Sequence, residues 1–343
     1  MRTLIIGDIH GCYTELLELV DTAAVATDDV VVSVGDLVDR GPAPAEVVRW
    51  FRERTNSVVI MGNHERKHVR DVLSYSQEVT KCQMGDDYAD GVAWMRGLPY
   101  FYETPDVRVV HAAMIPGVPL AQQPEAILAG TTSGEAQLKK LLPDGWWHDH
   151  YDDAVPVAFG HHVVGPEPLI REGKIYGLDT GACHGKRLTA LSVPDFTIYS
   201  VPSRGDYWHE VGRKYQVPVL RSKPWATMAW RKLDETVADL EHRPAPDTAA
   251  FLANITQWAN ALRALAKTFP DRVEMIAAEL RTQHGAHGYD AAIREHPAKP
   301  LLYKIARGRL TEKDIAERCT SARATLALAH KLGVDTSAIA SPV

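Results

Sequence analysis

Short apolar, β-branched runs alternate with stretches of helical periodicity through the first 200 residues, and the alternation stops after Pro202. Thr3–Ile6, Val30–Val34 and Ser57–Met61 have the length and composition of buried strands, and each runs into a glycine. Between them, Glu15–Val20 and Pro44–Phe51 space apolar residues as helices that cover one face of a sheet do. Residues 66–94 are mixed and polar and read as a helical insertion over the strand ends. Arg108–Val110 and Val155–Phe159 are two further strands, leading to His111 and to Gly160-His161. Ile175–Asp179 and Leu188–Val193 are expected to pair with each other.

Past residue 202 the period becomes helical. One helix is expected from Ala250 to Phe269, stopping before Pro270. A second runs from Asp271 to Gln283 and breaks at Gly285. A third is capped by Thr311, with Glu312 and Asp314 in its first turn and Gly333 beyond its end. The pattern predicts an α/β catalytic-type domain over 1–202 and a mainly helical domain of unassigned role over 203–343. No period of the solenoid kind is present.

Composition narrows the class. Hydrophobic residues make up 45% of the 343, enough for a substantial core. Met1-Arg2 leads straight into strand residues, which leaves no room for a signal peptide, and no apolar run approaches a membrane span. The four cysteines, Cys12, Cys82, Cys183 and Cys319, are scattered without a C-x-x-C pair, as expected of reduced thiols in the cytoplasm. Net charge is −6, unevenly placed: residues 201–343 carry 21 Lys and Arg against 16 Asp and Glu. That mild excess reads as a solvated helical surface and gives a nucleic-acid partner only slight support. Oligomeric state is not legible in the pattern.

The chemistry lies just past the strands, in Gly7-Asp8-Ile9-His10-Gly11, Gly35-Asp36-Leu37-Val38-Asp39-Arg40-Gly41 and Gly62-Asn63-His64-Glu65. Asp8, Asp36 and Asn63 are 28 and 27 residues apart, about one strand–helix–strand unit each. The ends of successive strands are where an α/β sheet opens its crevice. Carboxylate, imidazole and amide oxygen together suit divalent manganese, iron or zinc. Two such ions can generate a nucleophile from water and neutralise a phosphoryl group, given one carboxylate shared between them. Asp36 is placed to be that bridge. Asp8 and His10, two apart, can serve one ion, and Asn63, His111 and His161 the other.

The motif series, with His111-Ala112-Ala113, Gly160-His161 and Leu178-Asp179-Thr180-Gly181-Ala182, resembles the calcineurin-like metallophosphoesterases, nearest their phosphoprotein-phosphatase branch of bacterial type. The resemblance spans residues 1 to about 200. It implies two β-sheets packed as a sandwich flanked by helices, and two divalent metal ions, manganese foremost, with iron or zinc as alternatives. Asp8, His10 and Asp36 would hold one ion, and Asp36, Asn63, His111 and His161 the other. His64 would be the general acid, oriented by Asp39, and Arg40 would grip phosphate oxygens, with Asn63 also close to substrate. The implied reaction is hydrolysis of phosphomonoesters by attack of metal-bound hydroxide, without a phospho-enzyme.

The substrate expected from motif detail is a phosphoserine or phosphothreonine protein. The alternatives are a dinucleoside tetraphosphate (Ap4A) split asymmetrically, a nucleic-acid end or a cyclic phosphodiester, and outside catalysis a metal-stabilised partner-binding module. Many distant relatives carry a second His two residues after Gly-His, whereas position 163 here is Val. His162 is therefore a spare imidazole. Asp179 reads as a turn residue, Glu65 as buried beside the site, and Arg66 and Arg70 as candidates for a second phosphate-binding arginine. Trp146, Trp147, His148, His150 and Tyr151 read first as packing beneath a loop, with a base-stacking groove as the alternative.

Overall fold

The computed structural model describes residues 2–241 and 246–342, which divide into two compact units, Met1–Val219 and Leu220–Val343. The first unit holds ten strands in two five-stranded sheets. One contains β1 (Thr3–Ile6), β2 (Val30–Ser33), β3 (Ser57–Val59), β9 (Arg187–Val193) and β10 (Ile198–Pro202), in the order β10-β9-β1-β2-β3. The other contains β4 (Phe101–Glu103), β5 (Arg108–Val110), β6 (Val157–Phe159), β7 (Leu169–Arg171) and β8 (Ile175–Gly177), in the order β4-β5-β6-β8-β7. β1, β2 and β3 are parallel, in the register Thr3–Val30 and Val31–Ser57, and β5, β6 and β8 are parallel as well.

Strand periodicity explains the layering. Leu4 and Ile6 pack toward the helices α1 (Tyr13–Thr22) and α2 (Pro44–Glu53), while Ile5 points the other way and meets Val109, Ala158 and Tyr176 of the second sheet. Val110, Val157 and Phe159 face outward to a third layer with Leu128 and Trp147. β1, β2, β6, β8 and β9 are thus buried on both faces, which is why the first strands read as continuous apolar runs. α2 opens with Pro44, whose missing N–H costs nothing in the first turn, and carries Glu46 there and Arg52 in its last turn, both favourable to its dipole.

The expected pairing of residues 175–179 with 188–193 does not occur. β8 lies between β6 and β7, whereas β9 pairs antiparallel with β1 and β10 in the opposite sheet. The turn at Asp179–Gly181 carries the chain from one sheet to the other, a step that strand composition alone does not encode. The polar stretch is helical, as α3 (Asn63–Val69), α4 (Tyr75–Met84) and α5 (Tyr88–Met95). α6 (Glu125–Leu128) and α7 (Thr132–Leu141) precede β6.

The first unit continues past residue 202. α8 (Tyr207–Lys214) belongs to it because Val211 and Tyr207 pack with Val79 and Tyr75 of α4, and Tyr75 Oη donates to the Gly212 carbonyl at 2.5 Å. The division at Val219 falls inside α9 (Gln216–Ser222).

The second unit is helical. α10 (Trp230–Glu241) and α11 (Pro246–Ala266) share a core around Trp225, Ile255 and Leu262. α12 (Phe269–Glu295), α13 (Lys299–Ala306), α14 (Glu312–Ala316) and α15 (Ala322–Lys331) share another around Phe269, Ile293 and Leu302. α11 ends three residues earlier than expected, because Pro270 sits in the first turn of α12, where its missing N–H costs nothing. Gly285 does break the helical path, at φ 62°. The single helix expected after Thr311 is two. Thr311 caps α14 through Asp314, and Ser321 caps α15 by accepting the Ala324 N–H at 3.3 Å.

Candidate metal centre

Asp8, His10, Asp36, Asn63, His111 and His161 converge on one pocket of the first unit, although they lie on five separate strand ends. Asp36 is central. Its Oδ2 is 3.7 Å from His10 Nε2 and 3.8 Å from His64 Nε2, and its Oδ1 is 3.4 Å from His111 Nε2. Asn63 Oδ1 is 3.1 Å from His111 Nε2 and 3.2 Å from His161 Nδ1. The Asp8 carboxylate accepts the His161 backbone N–H at 3.0 Å. Two groups of donors within 4.8 Å of one another share Asp36: His10 with His64, and His111 with His161.

The backbone is bent to achieve this. Among the described residues nine non-glycines have positive φ, and five of them are sequence candidates: His10 (46°), Asp36 (51°), Asp39 (69°), Arg40 (68°) and His161 (70°). Each such residue costs roughly 1–3 kcal/mol, so the strain is concentrated where the side chains must be aimed. The neighbouring glycines are there for close approach. A Cβ on Gly62 would stand 2.2 Å from Asp36 Oδ1, and one on Gly160 would stand 1.9 Å from Asp8 Oδ1. Glu65 fixes the bridge residue. Its buried carboxylate accepts backbone N–H groups from Asp36 (2.9 Å), Leu37 (2.8 Å), Val38 (3.3 Å) and Gly62 (3.2 Å).

The imidazoles are held in a state that suits a cation. His10 Nδ1 faces the Val38 carbonyl at 2.9 Å and His111 Nδ1 the Val34 carbonyl at 2.8 Å. A carbonyl only accepts, so each Nδ1 carries the proton and each Nε2 keeps its lone pair. His161 Nε2 likewise faces Glu135 Oε1 at 2.9 Å, which leaves Nδ1 to face Asn63. Burial, with the charges of Arg40 and His64, pulls His10 well below the usual imidazole range, and burial takes His111 down to about 4 against the pull of Asp36. Burial also pushes Asp8 well above the usual carboxylate range, helped by Asp179 and Asp36, and raises Asp179 to about 6. The Nε2 lone pair of His111, the Asn63 amide oxygen and the Asp36 carboxylate therefore face one another with no donated hydrogen between them. A divalent pair satisfies that arrangement, so the residues fit the metals that their types imply. Arg40 Nη1 donates to His10 Nε2 at 3.0 Å.

Beside the pocket stands a buried acid pair. His64 Nδ1 donates to Asp39 Oδ2 at 2.5 Å, which aims Nε2 toward Asp36. Burial alone would lower His64, but the charge of Asp36 and the bond to Asp39 raise it. Burial would raise Asp39, yet bonds from His64 and His68 hold it well below the usual range. Sequence reasoning missed His68, whose Nε2 lies 2.9 Å from Asp39 Oδ1 while its Nδ1 meets Tyr88 Oη at 3.0 Å. Its spacing of four from His64 on one helix was the available signal. Gln77, which also donates to Asp39, and Glu135 gave none. Asp179 keeps the expected turn bond, accepting the Gly181 N–H at 3.0 Å, and adds a carboxyl within electrostatic reach of Asp8. Arg66 is half-buried with its Nε unpartnered, and Arg70 is exposed.

The aromatic cluster divides. Trp147 is buried against Phe159 and Tyr151, as packing requires, whereas Trp146 is 56% exposed.

A model of the calcineurin-like phosphoesterase family matches residues 1–191. The symmetrical bis(5'-nucleosyl)-tetraphosphatase of Methylobacillus flagellatus is 27% identical over 273 residues, covering 59% of this chain and 95% of its own. Its counterpart from Salmonella paratyphi B is 27% identical over 270 residues, with the same coverage of 59% and 95%. Among solved structures, a metallophosphoesterase from Sphaerobacter thermophilus is 20% identical, covers 64% of this chain and 98% of its own, and superposes with a TM-score of 0.40.

Proposed function

The chain belongs to the calcineurin-like phosphoesterases, metal-dependent phosphoric ester hydrolases, and from that premise we propose that it cleaves dinucleoside tetraphosphates into two nucleoside diphosphates. The observation that carries hydrolysis is the convergence of lone pairs and carboxylates on Asp36, with Arg40 and the His64–Asp39 pair at its edge. Asp8, His10 and Asp36 would hold one divalent ion, and Asp36, Asn63, His111 and His161 the other, with manganese the first candidate. Such a pair supplies an acidified water and neutralises phosphoryl oxygens. Arg40, at the edge of the pocket, would offer its planar fork to the phosphate. His64, with its Nδ1 proton committed to Asp39, presents Nε2 to the departing oxygen. The water oxygen bonds to the second phosphorus of the chain, the bond from that phosphorus to the central bridging oxygen breaks, and His64 protonates that oxygen.

The nucleotide reading draws on the name borne by the Methylobacillus and Salmonella relatives, and it replaces the asymmetric split with the symmetrical one. Hydrolysis of phosphoserine or phosphothreonine is the second reading, favoured by Val163 standing where a further metal-ligating His would mark more distant branches.

The test is kcat/KM of the manganese-loaded chain on Ap4A, a phosphoserine peptide, a 2′,3′-cyclic nucleotide and a 3′-phosphorylated oligonucleotide. The expected result is the highest value on Ap4A, with ADP as the one nucleotide product. ATP with AMP would restore the asymmetric split, and a highest value on the peptide would install the second reading.

A further inference from the structure

A cavity of about 310 Å³ opens beside His161 and takes no part in the hydrolysis described above. Its floor is aliphatic, formed by Ile127, Leu138 and Leu142, and its mouth carries the exposed ammonium of Lys139. The wall is aromatic. His161 and His162 have ring centroids 4.3 Å apart, and His162 meets the edge of Trp146 at 5.4 Å, so a line of rings runs from the metal pocket into the cavity.

Trp146 is the unusual member. More than half of it is exposed, although an indole is normally buried by the core. It is also held in place. Its backbone N–H donates to Asp149 Oδ2 at 2.6 Å, Arg171 fastens the other oxygen of Asp149, and His148 lies parallel to the indole at 6.0 Å. A fixed, exposed, flat apolar face over an aliphatic floor, next to a phosphoryl-transfer pocket, fits a planar heterocycle attached to a phosphate chain. An extended peptide would instead need a groove that continues past the cavity.

We propose that this cavity is the nucleobase subsite, with the base stacked on Trp146 and packed over Leu138 and Leu142 while its phosphates pass Lys139 and reach Asp36. The inference rests on the nucleotide reading above and adds to it the residue that recognises the base. Stacking of one base on one aromatic ring is worth roughly five- to hundredfold in affinity.

The experiment is calorimetric titration of the full-length, manganese-loaded protein with ADP and with inorganic pyrophosphate, in parallel with Ap4A turnover. The native protein is expected to bind ADP at least tenfold more tightly than pyrophosphate. Trp146→Ala is expected to erase that preference, and Trp146→Phe to keep most of it. In Ap4A turnover Trp146→Ala should raise KM at least tenfold more than it raises KM for p-nitrophenyl phosphate. A native ADP preference that survives Trp146→Ala overturns the subsite while leaving the nucleotide reading intact. A Trp146-dependent ADP preference without Ap4A turnover keeps the subsite and overturns the tetraphosphate as substrate. Equal binding of ADP and pyrophosphate by the native protein overturns the subsite outright.

Discussion

Asp39 is fully buried and bonded on both oxygens, to His64 on one and His68 on the other. The charge of Asp36 and the bond to Asp39 raise His64, the bonds from His64 and His68 depress Asp39, and the two shifts act on stability in opposite pH directions. The raised imidazole contributes stability that is complete below its ordinary value of about 6.5 and is lost as pH rises through the folded value. The depressed carboxyl contributes stability that is complete above about 3.9 and is lost as pH falls through its folded value. In the metal-free protein, Asp39→Asn should therefore lower Tm most between about pH 4 and pH 6.5, with the gap narrowing on both sides. A gap independent of pH would mean that the pair is not ionised. His64→Ala separates the acid from the metals through the leaving group. A departing alkoxide needs a proton far more than a departing diphosphate does, so the loss in kcat should be about 10²–10⁴ on a phosphoserine peptide and smaller on Ap4A. Equal losses on both would place His64 in binding rather than in proton delivery.

At the level of elements, the strand ends are locked together as much as the side chains are aimed. Glu65 at the start of α3 ties four backbone N–H groups, three of them in the loop after β2. Glu65→Gln puts an amide donor against those donors, and about 1–3 kcal/mol of stability should go with the mispaired bonds. Urea unfolding checks this, and a change under about 0.5 kcal/mol would contradict it. This part of the molecule was legible in the sequence. Asp8, Asp36 and Asn63 follow apolar runs ending in glycine, and strand order plus residue type sufficed to gather them. Other parts were not. The sheet chosen by residues 188–193 depends on the turn at Asp179, and a run of alternating apolar residues fits either sheet. Glu135 reaches His161 from a helix 26 residues away, with no motif to mark it. The 311–333 stretch carried one cap signal at Thr311 that was read and another at Ser321 that was overlooked.

Across the whole chain, metal binding and folding of the first unit are linked equilibria, because the donors lie on strand ends that only the folded sandwich brings together. At a hundred times the dissociation constant, Mn²⁺ should add about 2.7 kcal/mol to the stability of that unit, and a chelator should remove it. Calorimetric scans with and without chelator check the shift, and an unchanged scan would argue against a built site. The second unit has its own cores around Trp225 and Phe269, and among the described residues no helix is long and apolar enough to cross a membrane.

The most direct test is anomalous diffraction from crystals of the manganese-soaked protein. Two peaks are expected about 3.5–4 Å apart, on either side of the Asp36 carboxylate, one beside His10 and Asp8 and the other among Asn63, His111 and His161. Asp36→Asn should abolish at least one of them together with turnover. Peaks remote from residue 36, or full turnover by Asp36→Asn, would contradict the account.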